Sequence, residues 1–77
     1  MTNNEISEKI VQIAIETIGV ALNENESLKE SGLDSLALVT LVASIEDEFG
    51  FQFDDDDLQP NNLQMLSDVV RITEKYV

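Results

Sequence analysis

Gly32-Leu33-Asp34-Ser35-Leu36 decides how this chain is read. It closes a polar loop and opens the most apolar helical run in the sequence. Asp and Ser are both favoured N-caps, so Asp34 or Ser35 caps that run. Ser35 stands where the first N–H groups of a helix lack intrahelical partners and the helix dipole is positive. Such a position stabilises a phosphate as readily as it accommodates a cap. Gly32 lets the chain turn sharply just before it. Asp34 adds an acceptor that could hold the hydroxyl, or a metal ion during transfer of a group. Spacing alone leaves both the cap and the attachment reading open.

Downstream, a helix is predicted from about Ser35 to Phe49 and stopped by Gly50. Leu38, Val42, Ile45 and Phe49 recur at helical intervals. Leu36, Val39, Leu41 and Ala43 widen that face. The pattern predicts a mostly buried helix with one exposed strip of Thr40, Ser44, Glu46, Asp47 and Glu48. Negative charge near a helix C-terminus costs roughly a few tenths of a kcal/mol, so the acidic triplet hints at use by a partner. Phe51-Gln52-Phe53 alternates, but with no second candidate strand it reads as an extended connector whose rings dock into the core. Asp54–Asp57 lacks the alternating ligands, central Gly and distal Glu of a calcium loop. It reads as a solvated lead-in to a short helix over about 61–64, with Pro60 in its first turn. A last helix over about 65–76 would bury Leu66, Val69, Val70, Thr73 and Val77, with Lys75 complementing its dipole.

Upstream, Thr2 and Glu5 have capping-box spacing. Ile6, Ile10, Ile13 and Thr17 form one apolar row, and Val11, Ile15 and Ile18 a second. Gly19 ends this helix. Its β-branched residues would weaken an isolated helix, so packing must hold it. Between the first two helices periodicity vanishes, but Leu22, Leu28 and Leu33 are spaced so as to pin the loop. A pinned loop of this length carries function more often than disorder.

The 77 residues allow one domain, 1–77, and a compact core at 43% hydrophobic content. The formal net charge of −12 repels nucleic acid and anionic lipid and favours basic partners met fast at low salt. With no His, Cys or Trp, no usual nucleophile–base pair can be drawn. An enzyme working through paired carboxylates would need a cleft that this size barely permits. The polar, acidic start lacks the features of a secretory signal, and no run is long enough to span a bilayer. A soluble cytoplasmic protein is expected.

The chain resembles the acyl carrier and peptidyl carrier protein family. The resemblance rests on Leu28 in the long loop, Gly32-Leu33-Asp34-Ser35-Leu36, the apolar helix ending Glu46-Asp47-Glu48-Phe49-Gly50, and Asp68-Val69-Val70 in the last helix. It implies an all-α four-helix bundle with a long first loop and a short third helix. It also implies a phosphopantetheine arm, derived from coenzyme A, on Ser35, with Gly32, Asp34 and Leu36 around it. The arm's thiol would carry cargo as a thioester, which accounts for a working protein without Cys. Leu38, Val42, Ile45, Phe49 and Met65 are candidates to line a space for that cargo.

The partners implied are a phosphopantetheinyl transferase, acyl- or aminoacyl-loading enzymes, and ketosynthase or condensation-type enzymes with basic docking faces. The partner face would comprise Leu33, Leu36, Ala37, Thr40, Glu46, Asp47 and Glu48, on a monomeric carrier without enzymatic activity. Fatty-acid carriers usually have acidic residues where this chain has Ala37 and Thr40, Ala at Leu33, Pro at Asp54, and a Ser or Thr cap at Met65. Leu33 resembles the polyketide and nonribosomal forms, so a discrete carrier in a specialised pathway is expected. Leu36 argues against a D-alanyl carrier, which tends to have Phe there. The alternatives are a carrier of primary fatty-acid synthesis and an acidic helical module that binds a basic protein without carrying anything.

Overall fold

In the computed structural model, which describes residues 2–77, three α-helices form the frame. Asn3–Ile18 make α1, Ser35–Phe49 make α2 and Leu66–Glu74 make α3. The local signals for α1 operate as the sequence predicts. Thr2 Oγ1 accepts the Glu5 N–H at 3.2 Å, and Gly19 closes the helix at φ 68°. Gly50 does the same for α2 at φ 77°. Met65 gives α3 no side-chain cap; instead the Asp68 carboxylate reaches back to the N–H groups of Gln64 and Met65.

The short helix predicted over 61–64 is not an α-helix. A 3-10 turn, Pro60–Asn62, lies there, and another, Asp55–Leu58, forms in the acidic lead-in before it, so the all-α expectation holds but the four-helix count does not. Asp is a poor helix former, and four in succession repel one another. Pro60 forces extended backbone on Gln59, at φ −69° and ψ 142°, which separates the turns. The second turn closes through Asn62 N–H to the Gln59 carbonyl at 2.8 Å.

α1 packs on both α2 and α3. Ile6, Ile10, Ile13 and Ala14 form its buried face. The second predicted row is only half realised: Val11 and Ile18 are partly buried, while Ile15 is 52% exposed. Thr17 also faces solvent, and its hydroxyl donates to the Ile13 carbonyl at 2.7 Å. In α3, Ile72 joins Leu66, Val69, Val70 and Thr73 inside, whereas Val77 lies beyond the helix and is exposed.

The largest departure is α2. Only Leu41 and Ile45 are fully buried, with Leu38, Val42 and Phe49 partly so. Leu36 and Val39 are 75% and 64% exposed. At about 100° per residue, positions 38, 41, 42, 45 and 49 share the inner face. Positions 36, 39, 40, 43 and 47 share the outer one. The sequence offers enough apolar residues for a wide buried face, but the fold covers only the inner side of α2.

The long loop is pinned as expected: Leu22, Leu28 and Leu33 all lie in the core. The Leu28 N–H donates to the Gln64 carbonyl at 2.8 Å, and Ser27 pairs with Met65 in an isolated antiparallel bridge. Beyond α2, Phe53 enters the core while Phe51 is half-buried and stacks on Tyr76.

Candidate functional site

The loop is fixed onto the bundle a few residues before α2 begins. Ser27 and Glu30 bind reciprocally: Glu30 N–H donates to Ser27 Oγ and Ser27 N–H to Glu30 Oε1, each at 3.1 Å. The Ser27 backbone bond, followed by the bond with its hydroxyl, holds the Glu30 carboxyl below the usual range. Gly32 then takes φ 104°, which a side chain would resist. The turn swings Leu33 inward, where it is 7% exposed and its N–H donates to the Leu28 carbonyl at 3.1 Å.

Asp34, not Ser35, caps α2. Its backbone is extended and its Oδ1 accepts the Ala37 N–H at 2.8 Å. The first intrahelical bond runs from Leu38 N–H to the Asp34 carbonyl at 3.0 Å. Ser35 is therefore the first helical residue, exposed, with its hydroxyl outside the cap. The N–H groups of Ser35 and Leu36 precede the first intrahelical bond.

A cleft of about 900 Å³ runs from Ser35 between the loop, α2 and the 3-10 segment. Leu28, Leu33, Leu38, Val39, Leu58 and Leu63 give it apolar walls, and Lys29, Asp34 and Ser35 stand at its polar edge. Of the residues predicted to line a cargo space, only Leu38 lines this cleft. Ile45 is fully buried in the core, with Val42 and Phe49 packed against it. Leu58 and Leu63 lie beyond the periodic stretch of α2, so helical spacing gave no sign of them.

The predicted partner face separates. Thr40 is exposed as expected, and Leu36, which the apolar pattern puts on the buried face, is exposed as well. Leu33 is not available to a partner, because the Gly32 turn puts it in the core, and Ala37 is half-buried. The acidic triplet points three ways, since consecutive residues on a helix diverge by about 100°. Glu46 turns inward, its Oε2 accepting the Phe53 N–H at 2.8 Å. Glu48 pairs with Lys9 of α1 at 2.8 Å. Asp47 alone shares the outer face with Leu36, Val39, Thr40 and Ala43. The apolar pattern places Val39 and Ala43 on the buried face, yet both are exposed. Nothing in the apolar spacing marks them, or Leu36, as lying outside.

The arrangement offers an exposed hydroxyl at a helix start, a separate residue doing the capping, and an apolar cleft alongside. That set suits a phosphodiester-linked group whose flexible arm leaves from the serine. Known proteins similar to this chain bear on the family. A family profile described as "Phosphopantetheine attachment site" matches residues 8–70. An "Acyl carrier protein homolog" of Mycoplasma genitalium is 40% identical over 74 residues, covering 91% of this chain and 86% of that protein. An "Acyl carrier protein" of Nitratidesulfovibrio vulgaris (strain Miyazaki F) is 38% identical over 58 residues, covering 70% and 76%. One of Solidesulfovibrio magneticus is 34% identical over 74 residues, covering 91% and 92%.

Proposed function

This chain belongs to the acyl carrier protein family, and we propose that Ser35 is the residue to which its phosphopantetheine group is attached. Members of the family are carriers, not enzymes. The observation that carries the proposal is the split between neighbours: Asp34 caps α2 and leaves the exposed Ser35 hydroxyl available. The unpaired N–H groups at the start of α2 favour negative charge on that hydroxyl. When bound, the group supplies a terminal thiol on which an acyl cargo is held as a thioester.

The chain's own residues position and present that group. Gly32 and Leu33 fix the turn, Asp34 fixes the helix start, and the cleft walls offer apolar shelter beside the serine. Loading and processing enzymes would read the outer strip of α2, an apolar run of Leu36, Val39 and Ala43 ending at Asp47. Short-lived docking through a few exposed residues suits a carrier that must visit several enzymes and leave each.

For the pathway, the proposal is a discrete carrier in specialised polyketide- or nonribosomal-type biosynthesis, with acyl cargo. It is supported by the uncharged residues Ala37 and Thr40 where fatty-acid carriers usually bear acids. Primary fatty-acid synthase components would then load and elongate chains on it poorly. Efficient elongation would assign it to primary synthesis instead. The attachment itself is tested by intact mass after incubation with coenzyme A and a phosphopantetheinyl transferase. One added phosphopantetheine is expected on the native chain and none on Ser35→Ala; a persisting addition would place the site elsewhere.

A further inference from the structure

The chain has sixteen carboxylates and four cationic side chains, and three of the four cations are already paired. Lys9 meets Glu48 at 2.8 Å, Arg71 meets Asp68 at 3.2 Å and Lys75 meets Asp57 at 2.8 Å. Among the described residues the fourth, Lys29, has no carboxylate within 4.0 Å. It lines the same cleft as Ser35 and Asp34. Its backbone is held firmly: Leu28 before it is 3% exposed and bonded to Gln64, and the Lys29 carbonyl accepts the Gly32 N–H at 3.1 Å. A cation on an anchored turn, facing the cleft of a strongly acidic protein, lacks a structural partner of its own.

We infer that Lys29 is the counter-ion for the phosphodiester on Ser35, holding the first part of the arm against the cleft. The inference rests on Ser35 being the attachment point. A phosphodiester adds one negative charge to a chain already at −12 and places it beside the Asp34 carboxylate. The two uncommitted N–H groups of α2 offset part of that repulsion. Lys29 is the only unpaired cation among the described residues placed to offset more. A Lys ammonium suits the role because it is a compact charge on a flexible stem and needs no fixed geometry. Pairing at an exposed site is weak and screened by salt, so the group stays free to swing out when an enzyme takes it.

The test compares the apo and holo forms of the native chain, Lys29→Met and Lys29→Arg. Intact mass and peptide mapping first establish whether the group sits on Ser35. If it does not, the attachment reading falls, and this inference with it. If it does, urea unfolding of each form at low ionic strength gives the coupling between modification and the Lys29 charge. Modification should shift the unfolding equilibrium against the Met variant by about threefold relative to the native chain. The difference should shrink in high salt and be absent for the Arg variant. The ³¹P resonance of the phosphodiester should move between native and Met proteins when folded, and coincide in urea. Equal responses to modification in native and Met proteins, with superimposed ³¹P resonances, would overturn the inference while leaving the attachment at Ser35 intact.

Discussion

The Asp34 carboxylate accepts the Ala37 N–H at 2.8 Å across the first turn of α2. Ser35 lies between the two in sequence and takes no part in that bond. Capping, which competes with attachment for Ser35 when only the sequence is known, falls to Asp34 and leaves the exposed Ser35 hydroxyl for the proposed attachment. Asp34→Ala should therefore lower stability by about 1 kcal/mol, the usual loss for an N-cap. Ser35→Ala should change it by less than about 0.5 kcal/mol while abolishing modification. Urea unfolding and intact mass on the two variants check this. A cost concentrated at Ser35 would reverse the assignment.

The acidic triplet gives a second expectation. Glu46 pins the connector through the Phe53 N–H, so Glu46→Ala should destabilise the fold by about 1 kcal/mol. Asp47 faces outward, so Asp47→Lys should leave the urea midpoint nearly unchanged, raise KM for a loading enzyme and weaken its salt dependence. Salt-dependent kinetics on both variants separate the roles. Loss of docking from Glu46→Ala at unchanged stability would return that residue to the partner face.

These outcomes also mark how far the sequence could be read. Helix starts and stops were legible, because Thr2, Gly19 and Gly50 act through local backbone geometry. The pinned loop was legible because three leucines in a polar stretch have few places to go. The exposed side of α2 was not, since Leu36, Val39 and Ala43 look apolar whether or not another element covers them. Their exposure depends on where α1 and α3 sit, which is a tertiary property. Splitting of the acidic triplet was recoverable from helical periodicity; composition obscured it. The separation of the two 3-10 turns reflects Pro60 acting on the residue before it.

Leu36 and Leu41 provide a matched contrast on one helix. Leu41 is fully buried, and Leu41→Ala should cost about 2–5 kcal/mol, a large part of the stability of so small a domain. Leu36 is 75% exposed, and Leu36→Ala should cost less than about 0.5 kcal/mol. On transfer of cargo from a loading enzyme the order should invert at temperatures where both variants are folded. Leu36→Ala would raise KM and Leu41→Ala would leave it unchanged. Calorimetry and steady-state kinetics on the same preparations decide the point. Equal KM values for native and Leu36→Ala would remove Leu36 from the docking strip.

The C-terminal segment gives a pH dependence whose sign follows from one carboxylate. Asp57 accepts Lys75 Nζ at 2.8 Å and the Tyr76 hydroxyl at 2.5 Å, while the Tyr76 oxygen accepts the Asp54 N–H at 3.1 Å. The Tyr76 ring stacks on Phe51, with centroids 4.8 Å apart. The bond from Lys75, then that from Tyr76, holds the Asp57 carboxyl below its usual range; the same bonds raise Lys75 and Tyr76 above theirs. A lowered carboxylate stabilises the fold fully above its unfolded value and loses that contribution as pH falls through the folded value. The raised groups contribute fully below their ordinary values and lose it as pH rises through the folded ones. Tyr76→Phe keeps the ring and removes the hydroxyl. Its deficit in urea midpoint against the native chain should be largest at neutral pH, and should narrow both in acid below the usual carboxylate range and in strong alkali. Urea titrations across pH measure that profile. A deficit that stays constant through the acid limb would mean that the loss comes from ring packing and not from the bond to Asp57.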